Sequence, residues 1–141
     1  MDIAARVRLP LLLLRVGVFI VMLMWTLDKF VQPTHSAGVF KKFYQLDIGG
    51  APAYYVLGAL ELALLALFIS GTAKRYSYGA VLLFHAVSTN RSYPLYLQPF
   101  KNLVYFAAWP MLAACITLYL LRDLDTVWTV KRAQMPSAAP A

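Results

Sequence analysis

The sequence predicts an all-α membrane protein: a four-transmembrane-helix bundle with a short third helix and interfacial loop segments. Three observations carry that expectation. Hydrophobic residues make up 61% of the chain, charged residues 13%, and the mean hydropathy is +0.64, a balance far from that of soluble domains. Three runs, residues 9–27, 54–69 (extendable to 71) and 103–121, approach or reach the roughly 20 apolar residues that a span requires. A fourth run, 76–89, is shorter and reads as a short or interrupted helix. The 141 residues have room for one compact domain, taken as 1–132. The small, proline-containing stretch 133–141 is expected to be a disordered tail.

Taken in order, the first run follows Arg6 and Arg8 and so imitates a signal peptide. Its length, the internal Arg15 and the lack of a small-residue cleavage pattern before Asp28 and Lys29 favour a retained helix. From Phe30 to Ala53 the chain holds Pro33, Gly38, Gly49, Gly50 and Pro52, and within it Val39 to Tyr44 alternates aromatic and basic residues. This reads as an interfacial segment, with Phe40, Phe43 and Tyr44 dipping inward and Lys41 and Lys42 facing headgroups. A second such segment, 90–102, contains Pro94 and Pro99 with Tyr93, Tyr96 and Phe100. In the last run, Pro110 is expected to free the Phe106 carbonyl and kink the helix at its centre, while Ala107, Ala108, Ala113 and Ala114 permit close helix contact. Beyond Leu121, Asp123, Asp125 and Trp128 suggest a short surface helix over 122–132.

The net charge of +7 does not imply nucleic acid, because the basic residues flank the spans instead of forming a stripe. With four spans, one side carries Arg6, Arg8, Lys74, Arg75, Arg122, Lys131 and Arg132, and the other Lys29, Lys41, Lys42, Arg91 and Lys101. The excess places both termini in the cytoplasm. Cys115 is the one cysteine, which rules out an intramolecular disulfide or a CxxC pair and suits a small packing residue. No paired-carboxylate site, nucleophile elbow or phosphate loop is present, His35 falls in a loop, and His85 stands alone. An autonomous enzyme, a metal site and a haem site are therefore disfavoured.

The sharpest feature is Glu61, eight residues into an apolar run. A charge at mid-bilayer costs about 2.5–3.5 kcal/mol on insertion scales, so it should find a partner inside the bundle. At 1.5 Å per residue, Arg15 lies about 9 Å, Glu61 about 12 Å and His85 about 10–14 Å from one membrane face, which predicts a single polar level on three helices. Arg8, Arg15, Thr26 and Lys29 share one helical face with Met22, and Gly58, one turn before Glu61, allows a close approach. An Arg15–Glu61 ion pair is the expected result.

That level has two readings. One is a structural lock on helix register. The other is the floor of a pocket holding the head of a quinone-like or lipid ligand, with His85 or Glu61 exchanging protons and Trp25 and Asn102 among the pocket candidates. A third idea, passage of protons or small solutes, would use Glu61, His85, Asn90 and Arg91.

The series Arg15, Gly17, Trp25, Asp28, Lys29, Phe30, then Gly58, Glu61, Gly71 and Arg75, then Lys101, Asn102 and Leu103 resembles the DoxX-like family of small four-helix membrane proteins. The likeness runs over residues 9–121 and is most specific at Gly58-x-x-Glu61. It implies a non-catalytic accessory subunit of a quinone-linked redox or respiratory system in a bacterial inner membrane. Expected partners are the lipid bilayer and either other membrane subunits or further copies of the chain. No cofactor is firmly implied beyond a bound quinone or lipid. The alternative within the family is a structural, assembly or chaperone-like protein without a ligand, and the lone Cys115 argues against thiol handling.

Overall fold

The structure, a computed structural model, describes residues 2–130. The expected tail, 133–141, and the last residues of the expected surface helix lie outside the described residues. Among the described residues the regular structure is entirely helical. Helix α1 spans Ile3–Val31, α2 Pro33–Val39, α3 Ala51–Ile69, α4 Lys74–Arg91, α5 Tyr93–Tyr96 and α6 Ala108–Leu120. A π turn, Phe40–Tyr44, follows α2, and 3-10 turns Pro99–Lys101 and Leu103–Ala107 lead into α6.

Prolines and left-handed residues punctuate these elements. Pro33, Pro52 and Pro94 stand in the first turns of α2, α3 and α5, where a missing N–H costs nothing. The π turn ends at left-handed Gln45, and the α3–α4 turn bends through Gly71 at φ 65° and Ala73 at φ 46°. Three stretches are long and apolar enough to cross a membrane: α1, α3, and Leu103–Leu120, which joins the last 3-10 turn to α6.

Helix α4 is not the short helix expected. Its 18 residues make it about 27 Å long, nearly the length of α3, because polar residues at both ends extend it beyond the apolar run. The run starting at 103 is likewise not one kinked helix. It is 3-10 through Ala107, and Pro110 falls third in α6, where proline is tolerated. The expected surface helix over 122–132 consists, as far as Val130, of turns and irregular chain.

The bundle is built from two extensive antiparallel pairings, α1 with α3 and α4 with α6, closed by α3 against α4 and α1 against α6. One end of the bundle therefore holds the start of α1, the α3–α4 turn and the close of α6; the opposite rim holds α2, the π turn and α5. The apolar core comprises Leu11, Val18, Leu65, Phe68, Tyr78, Val81, Cys115 and Leu118, and it occupies the half nearer the α3–α4 turn. In lipid such a core is held by close packing more than by exclusion of water. Toward the rim the buried residues become polar or aromatic: Thr26, Lys29, Ser36, Tyr54 and Thr89.

Gly58 sets the spacing of α1 and α3. A Cβ built there would stand 2.6 Å from Cε2 of Phe30, whose ring stacks on Tyr55 at 6.1 Å. Gly58→Ala is expected to destabilise the protein by about 1–3 kcal/mol. In unfolding measurements in micelles, combining it with Phe30→Ala should cost at least about 0.5 kcal/mol less than the sum of the two single changes; additive costs would mean that Phe30 is not what Gly58 accommodates.

Candidate functional site

The polar face of α1 serves two separate centres. Arg15 and Thr26 are eleven residues apart, three helical turns and about 16 Å along the axis. In the antiparallel register that sets Phe30 beside Gly58, Glu61 comes to Thr26 and Lys29, while Arg15 is carried down to the turn at Gly71.

The first centre closes the end of the bundle. Arg15 is 1% exposed, and its Nη1 lies 3.0 Å from Asp125 Oδ2, on a residue that is 0% exposed. The same nitrogen donates to the Tyr78 hydroxyl at 3.3 Å, and that hydroxyl donates to Asp125 Oδ2 at 2.6 Å. Arg15 Nη2 donates to the carbonyls of Val127 at 2.6 Å and Trp128 at 3.3 Å. Lys74 Nζ caps the Asp125 carbonyl, and Val130 N donates to the Ser70 carbonyl at 2.8 Å. The chain after α6 is thus strapped across α1, α3 and α4. Arg15 Nε and Asp125 Oδ1 gain no hydrogen bond among the described residues, so the node carries part of its desolvation cost uncompensated.

The second centre lies nearer the rim. Lys29 Nζ is 2.9 Å from Glu61 Oε2, and the two side chains are 8% and 21% exposed. Lys29 also donates to the Trp25 carbonyl at 3.2 Å. Thr26 Oγ1 lies 3.0 Å from Glu61 Oε2 and 2.9 Å from the Met22 carbonyl, so its single proton is shared between them. The partner expected for Glu61 was Arg15; the structure replaces it with Lys29 and Thr26. The depth estimate failed because it measured α1 from residue 9, where the apolar run begins, whereas the helix starts at Ile3 and is displaced along α3 by more than a turn.

His85 joins neither centre. Its Nε2 lies 3.0 Å from the Ala108 carbonyl; a carbonyl only accepts, so Nε2 carries the proton and ties α4 to α6. Asn102 donates to the Leu95 and Gln98 carbonyls, both at 3.1 Å, and folds the turn ahead of α6. Trp25 is half exposed and lines a cavity at the rim. The five residues Arg15, Glu61, His85, Trp25 and Asn102 therefore occupy separate places, and the single polar level expected from depth does not form.

Two cavities open at the rim. One, of about 290 Å³, is walled by Trp25, His35, Gly38, Val39, Lys42, Phe43 and Tyr105. The other, of about 220 Å³, lies between the start of α2 and the start of α3 and reaches Tyr54. Neither includes Arg15, Glu61, His85 or Asn102.

Sequence reasoning missed Asp125 and Tyr78, and it assigned Lys29 to the stripe without its partner. A usable signal was present: two cations on one face of α1 require two acids, and Glu61 is the one carboxylate within the apolar runs. Asp2, Asp123 and Asp125 are the acids at the other end, although nothing local marks which of them is buried.

The chemistry these groups perform is charge neutralisation. Among the described residues no cluster of three or more His, Cys, Asp or Glu side chains has the arrangement of a metal site. Arg15→Met alone, or Asp125→Asn alone, is expected to cost about 3–5 kcal/mol, and the pair Arg15→Met with Asp125→Leu much less than the sum. Arg15→Met with Glu61→Gln should be additive within about 0.5 kcal/mol. Unfolding in micelles measures both cycles, and strong Arg15–Glu61 coupling would overturn the two-centre arrangement.

No protein-family model matches this chain, and comparisons with curated proteins and with solved structures likewise return no match.

Proposed function

We propose that this chain is a small integral membrane accessory subunit of a quinone-linked redox or respiratory system in a bacterial inner membrane, with no catalytic chemistry of its own. The observation that carries the non-catalytic part is the fate of the buried charges. Arg15 is consumed by Asp125 and Lys29 by Glu61, and the imidazole proton of His85 is committed to a backbone carbonyl. Neither rim cavity reaches Arg15, Lys29, Glu61 or His85.

The redox setting and membership of the DoxX-like family rest on the resemblance. What supports them is that its residues are those that set the register: Arg15 and Gly71 meet at one end, and Phe30, Gly58, Lys29 and Glu61 meet near the other. In this reading α1, α3, α4 and α6 are four crossings, with both termini cytoplasmic. Helix α4 is long enough, and several of its polar groups are satisfied internally. Ser77 donates to the Thr72 carbonyl at 2.8 Å, Thr89 to the His85 carbonyl at 2.8 Å, and His85 reaches Ala108. The exposed apolar side chains along the bundle, among them Leu13, Ile20, Leu60, Leu83 and Ile116, suit lipid or neighbouring subunits.

Extraction of the full chain from native membranes in mild detergent, followed by mass spectrometry, is expected to recover a larger redox-active membrane subunit. Deletion of this chain should lower that subunit's quinol-linked activity. A folded Lys29→Met, Glu61→Leu variant should restore it, because the pair locks register and does not bind the ligand. Recovery of the chain without a redox partner, or failure of the folded double variant to restore activity, would sink the reading.

A further inference from the structure

The larger rim cavity combines features that the two ion centres lack. Its walls are aromatic: Trp25 on α1, Phe43 on the π turn and Tyr105 on the 3-10 turn, with Phe43 and Tyr105 ring centroids 6.3 Å apart. Its polar side chains are Lys42, His35 and the Trp25 indole. Lys42 Nζ is held 5.2 Å from the centroid of the Phe43 ring, which keeps the ammonium at the cavity wall. His35 Nδ1 is fixed on the Asp28 carboxylate at 2.8 Å, and Ser36 Oγ donates to the same carboxylate at 2.7 Å. The ring is thereby oriented, and Nε2 is its one uncommitted nitrogen. The Trp25 indole N–H makes no hydrogen bond among the described residues.

Charge at this end points the same way. Lys29 is neutralised by Glu61, and Asp28 is engaged by His35. That leaves the exposed Lys41, Lys42, Arg91 and Lys101 against Asp47 alone among the exposed side chains of the rim. A cavity of about 290 Å³ is at the small end of ligand pockets. It admits a headgroup with the first atoms of its chains, while the remainder must lie outside along the apolar flank of the bundle.

We propose that this cavity is a headgroup site for an anionic phospholipid. The phosphate is held by a charge-assisted hydrogen bond from Lys42 Nζ, and the glycerol and upper methylenes lie against Trp25 and Tyr105, at the depth where aromatic belts sit. Inorganic phosphate shares the anionic contacts but would leave the aromatic walls bare. The site depends on the membrane setting and not on the redox role, so loss of the redox partner in the experiment above leaves it standing.

Native mass spectrometry of the full chain in mild detergent, with phosphatidylglycerol or phosphatidylcholine added, tests it. One phosphatidylglycerol should be retained per chain, at least about tenfold more strongly than phosphatidylcholine, whose phosphate is the same but whose quaternary ammonium would be set against the Lys42 ammonium. Lys42→Gln should reduce that retention about tenfold. Gly38→Leu should do the same by filling the cavity, since nothing lies within 4 Å of a Cβ built at Gly38. Lys41→Gln, at an exposed neighbour that does not line the cavity, should leave retention unchanged. Equal retention of the two lipids, an equal effect of Lys41→Gln and Lys42→Gln, no effect of Gly38→Leu, or displacement of the lipid by millimolar inorganic phosphate would each overturn the proposal.

Discussion

The placement of a permanently charged guanidinium in the packed end of the bundle governs much of this fold. Arg15 has no route to water, so its charge must be met inside. It is met by Asp125 from the far end of the chain, by the Tyr78 hydroxyl from α4, and by two carbonyls of the segment after α6. One side chain of the first helix thus ties together α4 and the closing strap, and Gly71 at the α3–α4 turn packs beside it. The aliphatic core of Leu11, Val18, Leu65 and Leu118 lies on the adjoining face of the same end, where the strap shuts it off.

The second centre performs the same task in a looser setting. Glu61 keeps some exposure, and its partners Lys29 and Thr26 stand one turn apart on α1. Gly58 and Phe30 supply the close approach that lets them meet. Two ionic contacts at different heights define the register of α1 more tightly than either contact alone, because sliding α1 by one turn would break both. Other buried hydroxyls are met locally or not at all: Thr89 donates to the carbonyl four residues back and Ser77 to the Thr72 carbonyl, whereas the Tyr54 hydroxyl has no partner among the described residues.

The rim is different. There the chain leaves long helices for α2, a π turn and short 3-10 pieces, and aromatic rings replace aliphatic packing: Phe40 meets Tyr54, and Tyr96 meets Phe106 and Trp109. Rings of unequal shape on irregular backbone leave gaps, and both rim cavities lie among them. Lys42 borders the larger of those gaps.

Hydropathy and length alone were enough to identify the long apolar helices and the membrane setting, because those properties accumulate locally over each run. The inward face of α1 was also legible, since its helical period selects Arg15, Thr26 and Lys29, all three buried; Arg8, on the same stripe, is exposed. The identity of the partners was not legible. Which carboxylate meets which cation depends on how far α1 slides along α3, and composition is nearly indifferent to a shift of several residues, whereas a salt bridge is lost within a few ångströms. The true length of α4 was hidden for a related reason: its ends are polar, and contacts with α3 and α6 sustain a helix that hydropathy does not mark. Asp125 looked like a surface residue because nothing in its neighbourhood requires burial; it is buried only because Arg15, 110 positions earlier, needs an anion at that end of the bundle.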